Sequence, residues 1–390
     1  MDNAELINLL KSHVKRFQSV GWFRSKLNDF LNNPNEEVHR LAKLTKMIAS
    51  CPESKEYNTR SFKDPGFTVD KVKDDTLSFY YDLDRITGGK HEFMKKLMMQ
   101  EKYIEFIPEG RSSTSLSIDR DSQGNVVSVK KSIKLATEPL VNNRTVAIHE
   151  IWHGMSEKDF NLSSKKDKNQ FLGEIGSMFV DFASREFLQS RYSSDKDFCE
   201  KLAYLNGQRN FDDSIEKARD GYLDYLICLA VAGTPEQQDF AIKEVVDNVG
   251  KLWSIRTLNE KMQHLDACIN DPQHNKYDPM YECRYLPGSA INYALWNQRL
   301  HNPTTPDEQK LYEEQLAHQA SLMAELNDHL ITLDALNHDN KTTSTFDIVT
   351  NHFGLPSIEK LMADYAMAIT KNNAPQSTQA PTSDPSTPNM

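Results

Sequence analysis

The chain has 390 residues, 38% hydrophobic and 26% charged, with a formal net charge of −10. That length allows a sizeable core, and an acidic balance without a long Lys/Arg run excludes a general nucleic-acid binder. Five scattered cysteines without a CxxC pair, Cys51, Cys199, Cys228, Cys268 and Cys283, argue for a reducing compartment rather than a disulfide framework.

The first residues, MDNAELINLLKSHVKRF, lack the basic start and apolar core of a Sec signal. The apolar stretch at 222–232 is too short to span a bilayer and holds Asp224. The expectation is a protein made in the cytoplasm and either kept there or exported without a cleaved signal, with no membrane insertion.

Residues 2–50 read as two or three amphipathic helices with breaks near Gly21 and Asn33-Pro34. A polar, loop-like stretch at 51–75 precedes a helical one at 76–100. These residues, 1–100, form an N-terminal helical region. At Tyr103 the texture changes. Residues 103–108 are strand-like, and two β-rich runs at 113–119 and 126–135 flank a hairpin turn at 120–125. The predicted element is a small antiparallel sheet. After Asn143 the chain reads as helix, near 168–190, 196–206, 211–231, 235–269, 288–300, 306–337 and 343–370. Residues 101–371 thus form the second region. The tail, 372–390, is rich in Pro, Ser and Thr and is expected to be disordered. The fold class is α+β, predominantly helical.

The chemistry concentrates at His149-Glu-Ile-Trp-His153. On a helix, positions i and i+4 share a face, so both imidazoles can point at one zinc ion. Glu150, beside the first ligand, stands where a general base is needed to take a proton from a water that zinc has acidified. Short motifs arise by chance, but here Val146, Ala147, Ile148 and Ile151 make the surroundings apolar and a hairpin precedes the helix.

A catalytic zinc needs a third protein ligand. Glu174 on the next helix and Asp159, six positions after His153, compete. Glu174, Ser177 and Asp181 share one helical face, so Glu174 can ligate while Asp181 supports a histidine. The Asp159 pattern calls for Gly where Ser156 stands. Glu174 is preferred.

The run Gly173-Glu-Ile-Gly-Ser-Met-Phe-Val-Asp181 resembles the second zinc motif of the thimet oligopeptidase and oligoendopeptidase family, a gluzincin group. His153-Gly-Met-Ser156 is similar to that family's continuation of HExxH. The resemblance covers roughly residues 144–183 and, more weakly, 281–300. It implies a zincin-like catalytic core and zinc-dependent hydrolysis of peptides or proteins. Tyr285 and Tyr293 resemble that family's transition-state tyrosines. Their spacing differs, and no histidine precedes Tyr285 at the family's position. A phenol near the metal also makes chemical sense, because its O–H can donate to a developing oxyanion. The family's chains are much longer, so the resemblance extends to short bacterial zincins, including secreted effector proteases.

A peptide substrate is expected to add to a sheet edge formed by 112–118 or 126–134. Other readings stay open: a non-catalytic helical protein with a structural HExxH helix, a different metallohydrolase, or an interaction protein using the helix at 304–337. His274 and His301 are secondary candidates, read as surface histidines.

Overall fold

The computed structural model describes residues 3–32, 37–54, 62–120, 126–156, 170–272, 277–301, 303–339 and 344–373. The N-terminal region gives α1 (Asn3–Ser19), α2 (Gly21–Leu31) and α3 (Val38–Ala49). Leu6, Leu10 and Phe17 on α1, and Leu41, Leu44 and Ile48 on α3, recur at helical spacing and are buried. The helical stretch expected at 76–100 is two helices, α4 (Val69–Ile86) and α5 (Phe93–Gln100). Gly88 and Gly89 part them with positive φ of 65° and 71°. Both Asp84 carboxylate oxygens then accept from the first α5 amides, Phe93 and Met94, each at 2.8 Å.

The sheet corrects an expectation. Strands β1 (Ile104–Ile107), β2 (Ser113–Arg120) and β3 (Val126–Ala136) form a mixed sheet in the order β1-β3-β2. β2 and β3 pair antiparallel, but β1 and β3 pair parallel. The segment between β1 and β2 spans two strand spacings, roughly 10 Å, and β3 slots into the gap. Of the two segments expected to offer an edge, 126–134 is therefore the inner strand, and only β2 presents one.

The helix that bears His149 and His153, α6 (Val141–Ser156), follows, then α7 (Gln170–Arg191) and α8 (Lys196–Tyr204). A π-turn at Leu205–Arg209 leads into α9 (Asn210–Ala232). The helix expected at 235–269 is two, α10 (Pro235–Asn248), opened by a Thr234/Gln237 capping box, and α11 (Ile255–Asn270). Gly250, at φ 87°, makes the turn. A 3₁₀ turn at Tyr281–Arg284 enters α12 (Tyr285–Asn297), followed by α13 (Pro306–Asp339). The last expected helix divides at Gly354 into α14 (Thr345–His352) and α15 (Ile358–Asn373).

One hydrophobic cluster runs from Leu6 to Ile369, so both sequence regions contribute to it. α13 buries Leu316, Ala320 and Met323 in that cluster. Among the described residues, no helix is long and apolar enough to cross a membrane. The Pro/Ser/Thr-rich tail lies outside the described residues beyond Asn373.

Candidate metal centre

The non-motif residues of α6 decide where the helix sits. Ala147, Ile148, Ile151, Trp152 and Met155 are buried, and each large apolar side chain so buried contributes about 1.5–3 kcal/mol. At the N-terminal end, Arg144 Nε donates to Asp75 Oδ2 of α4 at 2.8 Å. Its guanidinium also stacks over Tyr192, 4.4 Å from the ring centre. Three side chains then donate to α6 carbonyls. Tyr80 O–H bonds Ile148 at 2.8 Å, Thr114 Oγ bonds Glu150 at 2.7 Å, and the Lys131 ammonium bonds Gly154.

Glycines set the distances between layers. A Cβ on Gly154 would lie 2.6 Å from Ile133 of β3, and one on Gly176 would lie 2.4 Å from the Trp152 indole nitrogen. On Gly288 of α12 it would lie 2.9 Å from Met178 of α7. α6 therefore rests closely on the sheet, α7 on α6, and α12 on α7.

This stacking brings three donor atoms together. His149 Nε2 and His153 Nε2 are 3.1 Å apart. Glu174 Oε2 lies 3.4 Å from His153 Nε2 and 3.7 Å from His149 Nε2. The side chains are 13%, 17% and 16% exposed, so the site is recessed yet reachable. Metal–ligand bonds of 2.0–2.1 Å in a tetrahedron require ligand atoms about 3.3–3.4 Å apart. The three separations bracket that value. Two imidazole nitrogens and one carboxylate oxygen are also a donor set that suits zinc. The residues fit the ion.

Their supports follow from the helical period. Asp181 Oδ2 is 3.0 Å from His149 Nδ1. In the neutral imidazole, Nδ1 donates to that carboxylate and Nε2 keeps its lone pair toward the cluster. Ser177 Oγ donates to Glu174 Oε2 at 3.2 Å and to the Glu174 carbonyl at 3.0 Å. The Glu150 carboxylate makes no hydrogen bond or ion pair with a described residue.

The electrostatics favour positive charge at the centre. Burial pushes the His149 pKa down, but Asp181, with Glu174 and Glu150, outweighs it and lifts the value to about 9. Burial likewise opposes ionisation of Glu174, yet His153 and His149 hold its carboxyl below the usual range. Asp181 is also held low against its burial, by His149, Arg185 and Lys217.

The two tyrosines separate. Tyr285 opens α12, and its phenol is 3.2 Å from that of Tyr281. Burial, and then the Glu174 carboxylate, push the Tyr285 pKa up, so its ring stands within electrostatic reach of the cluster. Tyr293 lies about 12 Å further along the same helix. Its ring packs against Phe211, Tyr365 and Trp296 at 5.7, 5.4 and 6.2 Å. Tyr293 is thus not brought to the cluster. Asp159 and His274 lie outside the described residues. His301 is no isolated surface residue, since its Nδ1 is 3.1 Å from Glu186.

Sequence reasoning missed the carbonyl anchors Tyr80, Thr114 and Lys131, because side chain–backbone bonds between distant segments have no local pattern. The close-approach glycines did leave a signal. Gly176 and Gly288 are isolated glycines inside helical runs, which mark tight packing.

No protein-family model, no curated protein and no solved structure matches this chain.

Proposed function

We propose that this chain is a zinc-dependent endopeptidase with a zincin-like core of the gluzincin type. The observation that carries the reading is the convergence of His149 Nε2, His153 Nε2 and Glu174 Oε2 at separations of 3.1–3.7 Å. His149, His153 and Glu174 would hold the zinc. When bound, the ion lowers the pKa of water and polarises a peptide carbonyl.

Glu150 acts as general base. It takes a proton from the attacking water as the new C–O bond forms, then passes it to the amine nitrogen as the C–N bond breaks. Tyr285, beside Glu174, is the phenol available to donate to the oxyanion that develops on the substrate carbonyl. The peptide would lie along the edge of β2, whose Thr114 is bonded to the Glu150 carbonyl. Asp181 orients His149 and touches no substrate.

The test begins with zinc by elemental analysis, in parallel with cleavage of a peptide library. Near-stoichiometric zinc in the wild type is expected, lost in Glu174→Ala and kept in Asp159→Ala. Glu150→Ala should keep zinc while cleavage falls by about 10²–10⁴. A wild type that takes up no zinc when supplied, or a Glu150→Ala variant cleaving at the wild-type rate, overturns the reading.

A further inference from the structure

Lys217 of α9 stands beside the candidate site and took no part in the reading of the sequence. Its ammonium sits over the Tyr285 ring, 4.1 Å from the centroid. Such a contact orients a lysine without hydrogen-bonding it, so its three N–H donors remain available. Among the described residues, no carboxylate forms an ion pair with it.

The neighbouring acids are engaged elsewhere. Asp181 is bonded to His149 at 3.0 Å, and Asp213 to Arg209 at 2.9 Å. Lys217 still bears on both, and on the partly buried Glu282, as a charge acting over a longer distance. Arg111, in the segment just before β2, also acts on Glu282. Gly288, one turn along α12 from Tyr285, packs against the main chain of Glu174, a Cβ there lying 3.7 Å from its carbonyl carbon, so the ammonium stands on the flank of α12 next to the cluster. The phenol of Tyr285 is in turn 3.2 Å from that of Tyr281, which is 43% exposed.

We propose that Lys217 is the specificity residue of this cleft and binds a carboxylate of the substrate near the scissile bond. The carboxylate comes from an acidic side chain or from the C-terminus of a short peptide. This inference rests on the endopeptidase reading for the location of the cleft, but its chemistry is that of a half-buried cation that rests on an aromatic ring and makes no ion pair among the described residues. A charge-assisted hydrogen bond in such a place discriminates a carboxylate from its neutral isostere by about tenfold or more.

The test reads binding as well as turnover. Hexapeptide pools are compared in two pairs, one differing by Glu against Gln at a fixed position and one by C-terminal acid against amide. Binding is measured by surface plasmon resonance on zinc-loaded Glu150→Gln protein. Cleavage is measured on the otherwise native chain.

In at least one pair the carboxylate pool should bind about tenfold tighter, and the responding pair identifies the source. Adding Lys217→Met should collapse that ratio to near one, and Lys217→Arg should restore most of it. Equal binding of both pairs, or a ratio that survives Lys217→Met in folded protein, overturns the proposal. Selective, Lys217-dependent binding without cleavage by the native chain would retain the proposal and sink the peptidase reading instead.

Discussion

Of the three partly buried carboxylates on helix α7, Glu174 near its start and Glu186 near its end are about 18 Å apart along the axis. Each has a histidine beside it. Around Glu186 the other neighbours are Arg299 Nη2 at 2.6 Å, the Trp296 indole N–H at 2.9 Å and the Tyr312 O–H at 3.3 Å. These groups all donate, and the guanidinium cancels the charge. Around Glu174 stand two imidazole nitrogens and one serine hydroxyl, with no arginine or lysine in contact among the described residues. The first arrangement is electrically complete. The second has no permanent cation among the described residues, only imidazoles, whose charge depends on a proton. A histidine beside a buried carboxylate therefore does not identify a metal site. What counts is whether the chain has already supplied a permanent positive charge.

The largest effect expected from breaking this comparison is on stability at the Glu186 end. Glu186→Ala strands Arg299, whose side chain is 1% exposed, and should cost about 3–5 kcal/mol in urea denaturation. Zinc per folded molecule should be unchanged. Loss of zinc in that variant would show that the two ends of α7 are not independent.

At the other end, Glu174→Ala should weaken zinc binding by more than about a hundredfold, since removing a ligand exceeds the loss of a supporting group. It should also abolish the rise in Tm expected when zinc is added to the wild type. Asp181→Asn keeps the size of the group that holds His149 and removes its charge. A tenfold to hundredfold loss of zinc affinity is expected, about 10–100 by titration against a competing chelator. No change there would leave His149 positioned by packing alone.

The smallest effect is at Gly176. Its added methyl in Gly176→Ala would press on the Trp152 indole and push α7 away from α6. A loss of about 1–2 kcal/mol is expected, because overpacking outweighs the gain in helix propensity. Gly21→Ala is the control, as a Cβ there meets nothing within 4 Å.

What the sequence made legible divides along the same physical line. The placement of His149 with His153, and of Glu174 with Ser177 and Asp181, depends only on the helical repeat, a local property. The convergence of the two helices depends on Gly176 meeting Trp152, which is tertiary. The helix boundaries missed at 88–89, 250 and 354 all fall on glycines with positive φ, a turn signal that continuous hydrophobic patterning masked. The direction of β1 was hidden because pairing order is settled across the sheet and not within a strand. Tyr285 and Tyr293 looked alike in sequence, and only the path of α12 separates one from the other.

The anchors of α6 carry one more implication. Tyr80, Thr114 and Lys131 grip the main chain at Ile148, Glu150 and Gly154, and a carbonyl is the same acceptor whatever side chain its residue bears. His149 and Glu150 could be exchanged for other helix-forming residues and the helix would still be gripped at the same three points. A chain with other side chains at these positions would therefore keep the same placement of the helix. Descendants of this fold with an erased motif should be recognisable by a phenol, a hydroxyl and an ammonium at positions 80, 114 and 131.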